Sequence, residues 1–214
     1  METVSRKELI AQQYEEKKRN QHKEERRKKL TKWIIIGITV VLLIVGFGWV
    51  IKESNKPLPG IEVSDQGRGH IPQKEWENFF YNSNPPTSGQ HDAVWTKAGI
   101  YEDVQADGHL VHSLEHGYVI LSYNCTKVSE KGKAQSAKDC DTLKKQLAEI
   151  ANIKLWKIIV VPRPQLDVPL AVTAWNQIEK FEKIDSTGLK DLDKEKIQAF
   201  IQAFQNHGPE VTAE

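Results

Sequence analysis

The sequence predicts an α+β fold, with a small antiparallel or mixed sheet and packed helices, preceded by one transmembrane helix. An uncharged apolar run of 19 residues lies near the N-terminus, runs rich in β-branched and aromatic residues follow it, and helical apolar spacings separate and trail those runs. With 39% hydrophobic and 28% charged residues and two cysteines in 214, the chain is not collagen-like, low-complexity or a disulfide-dense miniprotein.

The apolar run is Trp33 to Ile51, WIIIGITVVLLIVGFGWVI. At about 1.5 Å per residue it reaches roughly 28 Å, close to the hydrocarbon thickness of a bilayer. Trp33 and Trp49 stand near its ends, where indoles favour the headgroup boundary. Thirty-two residues precede the run and no small-residue cleavage site closes it, so it reads as an uncleaved signal anchor.

Flanking charge orients the anchor. Residues 17–32 carry nine basic side chains and residues 52–70 carry three, which by the positive-inside rule puts the N-terminus in the cytoplasm and residues 52–214 outside the plasma membrane. Beyond residue 32 the chain has 19 basic and 23 acidic groups, a formal −4. Residues 1–32 read as a charged cytoplasmic helix, with Glu15–Arg19 and Glu24–Lys28 at favourable i,i+4 spacing. Its basic cluster suits a topology signal and contact with the lipid bilayer. No aromatic platform or folded basic module accompanies it, so nucleic acid is not an expected partner.

Residues 52–69, with Pro57, Pro59, Gly60, Gly67 and Gly69, read as a linker, and residues 70–214 as one extracytoplasmic domain. Within it, Tyr118–Tyr123, Trp156–Val161 and Leu170–Trp175 read as strands. Leu143, Leu147 and Ile150 have helical spacing after Asp139 or Asp141 as N-cap. A later helix, capped by Asp193, carries Ile197, Phe200, Ile201 and Phe204 on one face and stops before Gly208-Pro209. Cys125 and Cys140 lie on the oxidising side and enclose a polar loop. A disulfide worth about 3 kcal/mol is expected there, with free thiols or metal ligands as the alternatives.

Five of the seven histidines fall within residues 70–116: His70, His91, His109, His112 and His116. His112 and His116 are four apart, and that pair converges whether the segment is helix or strand. His91 arrives from the Pro/Gly loop NSNPPTSGQH. Three imidazoles with an open coordination position suit zinc or copper, so His91, His112 and His116 are the candidate ligands, with Glu115 orienting one imidazole from behind. The string His112-Ser-Leu-Glu115-His116 also fits the HxxEH pattern of zinc hydrolases, with Glu115 as base. That chemistry needs a long helix, and Gly117 follows at once. A single Met argues against a Met-rich copper carrier, and neither a phosphate-binding GxxxxGK[ST] loop nor a GxSxG elbow is present.

Tyr81–His91 (YNSNPPTSGQH), Gly99-Ile-Tyr101 and Leu110–Cys125 (LVHSLEHGYVILSYNC) resemble the bacterial family catalogued as domain of unknown function 3105. Trp175 and His207–Glu210 (HGPE) are similar to its later features. Gln90 departs from that family's usual SGPH while leaving His91 in place. The resemblance implies a short single-span membrane protein, points to His91, His112, Glu115 and His116, and implies no established activity or cofactor. Three functional classes follow: a metal-binding module, a zinc-dependent hydrolase, and an envelope protein-interaction module whose histidines are structural and which needs no cofactor.

Overall fold

The computed structural model describes residues 6–54, 57–128, 137–153 and 155–210. The chain divides into two compact units, Met1–Pro57 and Leu58–Glu214.

The first unit is one helix, α1 (Arg6–Ser54), in which the charged segment runs without a break into the apolar one. Within it, Tyr14–Trp49 is long and apolar enough to cross a membrane, with a mean hydropathy of 2.3 and none of the apolar window buried in protein. Thr39, the one hydroxyl of the apolar run, donates to the Ile35 carbonyl at 2.9 Å and so presents no unmet polar group to an apolar surrounding.

The second unit is built on a six-stranded mixed sheet in the order β1-β6-β5-β3-β4-β2. The strands are β1 (Ile61–Glu62), β2 (Gly99–Ile100), β3 (Val119–Tyr123), β4 (Ile158–Pro162), β5 (Leu170–Ala174) and β6 (Gln177–Phe181). β3 sits centrally, parallel to β4 with Val119 opposite Ile158, and antiparallel to β5 with Leu121 opposite Val172. The helices are α2 (Gln73–Trp76), α3 (Asp107–Glu115), α4 (Ala137–Ile153) and α5 (Asp191–Phe204).

Both faces of the central strands are covered. Val119, Leu121, Ile158, Val160, Leu170 and Val172 pack with Leu143, Leu147 and Ile150 of α4 and Ile197 and Phe200 of α5. Ile120, Ile159 and Val161 face the other way, against Leu110 and Leu114 of α3. A strand enclosed on two sides reads as a continuous apolar run and not as an alternation, which is why β3, β4 and β5 stand out in the sequence. Leu121 is fully buried, and its truncation to Ala would cost about 2–5 kcal/mol.

The sheet and helices agree with the α+β expectation, with local shifts. α4 is described from Ala137, so Asp139 and Asp141 lie within the helix and not before it. α5 begins two residues before Asp193, and that carboxylate reaches back to the Lys190 backbone N–H at 3.2 Å. Cys125 and Cys140 form a disulfide with Cα atoms 5.2 Å apart.

From Leu58 onward the Pro/Gly-rich stretch belongs to the compact unit; Asn55 and Lys56 lie outside the described residues. Ile61–Glu62 pair with β6, and Gly60, at φ +84°, passes so close to the Ile178 carbonyl that a Cβ would stand 2.8 Å from it. Glycine there serves close packing as well as a turn.

Candidate metal centre

α3 is a nine-residue helix whose Leu110 and Leu114, four apart, anchor it to the sheet. The same period places His112 and His116 together, with His116 closing the helix at φ −80° and ψ 10°. Glu115 is the last helical residue. Gly117 then turns at φ +79° into β3, so the HxxEH string lies at the end of a short helix and not within a long one.

The His91 loop is shaped by its own backbone. Gly89, at φ +126°, leaves room for the Phe79 ring, which a Cβ would approach to 2.7 Å. The Gly89 N–H donates to the Gly67 carbonyl at 2.9 Å, and His91 N–H to the Gly69 carbonyl at 3.1 Å. Ser113 ties the following loop to α3, its hydroxyl donating to the Thr96 carbonyl at 2.7 Å and accepting from the Thr96 N–H at 3.0 Å. That hydroxyl is committed to structure.

Three imidazoles share one arrangement. The Nδ1 of His91 lies 2.7 Å from the Gly89 carbonyl oxygen, that of His112 lies 2.7 Å from the Asp92 carbonyl oxygen, and that of His116 lies 3.0 Å from the Glu210 carbonyl oxygen. A carbonyl oxygen only accepts, so each Nδ1 carries a hydrogen; between His112 and His116 the two Nε2 atoms face one another, whereas His91 Nε2 faces a carboxylate oxygen, itself an acceptor. Those Nε2 atoms converge. His112 Nε2 lies 2.8 Å from His116 Nε2, and His91 Nε2 lies 3.0 Å from Glu115 Oε2. His70 Nε2 stands 3.4 Å from the same carboxylate oxygen. One ligand atom from each of His70, His91 and His112 lies within 4.8 Å of the others.

Two lone pairs opposed at 2.8 Å in a buried site repel unless a cation or a proton sits between them. Two nitrogens at about 2.05 Å from one ion are separated by roughly 2.9 Å at right angles and about 3.3 Å at the tetrahedral angle, so 2.8 Å suits an N–H···N hydrogen bond and would widen slightly around a shared metal. His91, Glu115, His112 and His116 are all buried. Burial pushes His112 below the usual imidazole range, and the neighbouring His116, His91 and His70 push it the same way, against the bond from the Asp92 carbonyl. The neutral form that a metal requires is thereby favoured.

A family model described as "Protein of unknown function (DUF3105)" matches residues 73–214. The chain belongs to this family. No curated protein and no solved structure matches it. The DUF3105 region contains His91, His112, Glu115, His116, both cysteines and the C-terminal HGPE, and begins three residues after His70.

In the DUF3105 region His112 lies against both His91 and His116, and Glu115 lies against His91, while the group of three that could share an ion among the described residues is His70, His91 and His112. The Glu115 carboxylate lies on the Nε2 side, while backbone carbonyls orient the imidazoles from the Nδ1 side. Glu115 is a candidate ligand. His109 stays apart, its Nε2 3.7 Å from an Asp92 carboxylate oxygen that also accepts from the Trp76 indole at 3.1 Å.

His70 joins the cluster without having been singled out as a ligand. Its flanking Gly-Arg-Gly reads as tether, and only its place in the histidine-dense window hinted at it. Trp95 stands in no motif that marks it; its ring centroid lies 5.7 Å from that of His112 and 5.8 Å from that of His116.

Proposed function

We propose that this chain is a membrane-anchored, extracytoplasmic metal-binding protein that holds zinc or copper through His91, His112 and His116, with Glu115 as carboxylate donor. The observation that carries this reading is the buried 2.8 Å approach of two Nε2 atoms whose Nδ1 partners are both already bonded to carbonyl oxygens. Imidazole and carboxylate donors suit Zn(II) and Cu(II). Thiolate is not on offer, since Cys125 and Cys140 are joined to each other.

The charge bias of nine basic groups before the apolar run against three after it supports an N-terminus in the cytoplasm. The disulfide supports a domain in an oxidising compartment. The experiment is Cu(II) titration of the detergent-solubilised full chain, followed by electron paramagnetic resonance. Nitrogen couplings from several imidazoles are expected, simplified in His112→Ala and His116→Ala. A spectrum indistinguishable from copper in buffer, together with no Zn(II) uptake, would overturn the reading and favour an envelope protein-interaction module with structural histidines.

A further inference from the structure

We infer that His70 is the solvent-side donor through which the metal ion enters and leaves, so that the centre exchanges its ion with the surroundings instead of locking it in place. This rests on the metal reading above and assigns a direction of access to the same site.

Among the converging groups His70 is the one open to water: its side chain is 44% exposed, against 0% for His91 and 2% for Glu115. His112 and His116 are also buried. A hydrated ion cannot reach such donors without first losing water, and it loses water stepwise, one ligand replacing one water molecule. A half-exposed imidazole with its Nε2 3.4 Å from the Glu115 carboxylate is placed to make the first replacement. The ring also covers the site, stacking on His112 with centroids 4.7 Å apart and planes 30° from parallel, and meeting His91 edge-on at 4.8 Å.

The backbone that carries His70 is fixed on both sides, while its ring is held only by the groups of the site. Ile71 N–H donates to the His91 carbonyl at 2.9 Å, His91 N–H donates to the Gly69 carbonyl at 3.1 Å, and Gln66 N–H donates to the Ser88 hydroxyl at 3.0 Å. His91, His112 and His116 each have Nδ1 held by a carbonyl oxygen, but among the described residues no carbonyl holds the His70 Nδ1. A ring held on a fixed backbone only by its Nε2 approach to Glu115 and its packing on His112 and His91 can swing between water and the site by rotamer change alone.

The test is stopped-flow mixing of Cu(II) with the metal-free full chain in detergent, read by tryptophan quenching, with release then driven by EDTA. The variants are His70→Ala and His70→Gln, the second keeping bulk over the site without a basic nitrogen. Both variants are expected to bind and to release the ion more slowly by the same factor, with affinity nearly unchanged. Added imidazole is expected to restore the rates of His70→Ala. Unchanged rates would overturn the inference. Faster release with unchanged uptake would also overturn it, because that would make His70 a permanent ligand. A wild-type chain that takes up no Cu(II) overturns both readings, whereas a loaded wild type beside unaffected variants overturns this one alone.

Discussion

Gly208 passes so close to the end of α3 that a Cβ on it would stand 2.2 Å from the Glu115 carbonyl oxygen and 2.3 Å from the Gly117 nitrogen. The C-terminal segment is thus folded against the helix end that carries the candidate ligands. Asn206 N–H donates to the Gly117 carbonyl at 2.7 Å, Glu210 N–H donates to the Glu115 carbonyl at 3.0 Å, and the Glu210 carbonyl returns to hold His116 Nδ1. Lys157 completes the clamp, its Nζ donating to the His116 carbonyl and to Asn206 Oδ1, each at 2.9 Å.

Gly208→Ala should therefore cost more than about 2 kcal/mol, since the atoms it meets are backbone and cannot swing aside. Because it displaces the carbonyl that orients His116, metal affinity should fall about 10- to 100-fold in the protein that still folds. Thermal denaturation by circular dichroism checks the first effect and competition with a chelator the second. A variant with wild-type melting temperature and affinity would mean that the tail is a bystander.

Replacing Glu115 by Gln keeps the side-chain shape and removes the carboxyl group whose Oε2 lies 3.0 Å from His91 Nε2 and 3.4 Å from His70 Nε2. Affinity for a divalent ion should drop by about one to two orders of magnitude, while His112 and His116 remain in place to bind what is left. Isothermal titration with Zn(II) measures this directly. Equal affinity would remove Glu115 from the ligand set.

Breaking the disulfide should cost about 3 kcal/mol through the restored freedom of the unfolded chain, given the 15-residue separation of Cys125 and Cys140. Urea denaturation of Cys125→Ser/Cys140→Ser beside the parent gives the value. The loss is expected in stability and not in metal content, because the bridge joins the 3-10 turn after β3 (Cys125–Lys127) to α4, on the face of the sheet away from α3.

Acid should destabilise the metal-free protein in a defined direction. His112 has its folded-state affinity for protons lowered by burial and by the neighbouring His116, His91 and His70. The unfolded chain takes up that proton near pH 6.5, so this contribution to stability is complete above about that pH. It is lost as pH falls toward and through the depressed folded value. Denaturant midpoints of the metal-free chain and of His112→Gln between neutral and mildly acidic pH test the sign. The parent should lose more stability on acidification than the variant, and a steeper fall in the variant would contradict the assignment.

The legible part of the fold was the part whose pattern is set by burial on two sides. YVILSY, WKIIVV and LAVTAW are continuous apolar runs because helices cover one face of the sheet and α3 with its loops covers the other. β6, QIEKF, buries only Ile178 and Phe181 and carries too little of that signal. β1 and β2 are two residues long and are fixed by pairing that local sequence does not encode. HLVHSLEH satisfied helix and strand spacing equally, and only tertiary packing of Leu110 and Leu114 decides it as helix.

For the site, the residue types and the His112–His116 spacing were readable, but the side on which Glu115 approaches them was not. His116 Nδ1 and the Glu210 carbonyl are 94 residues apart, and no motif links them. His70 was obscured by glycines that mimic a linker, although that stretch is hydrogen-bonded to the His91 loop. Close backbone approach and loose tethering draw on the same residues, so composition alone could not separate them.

The most direct test of the central claim is the metal content of the purified full chain by elemental mass spectrometry, after zinc and copper have both been offered and excess ion removed. His112→Ala and His116→Ala variants that keep the parent's circular dichroism spectrum serve as controls. Near-stoichiometric zinc or copper in the parent, lost in both variants, is the expected result. A parent that carries neither metal, or variants that retain as much as the parent, would contradict it.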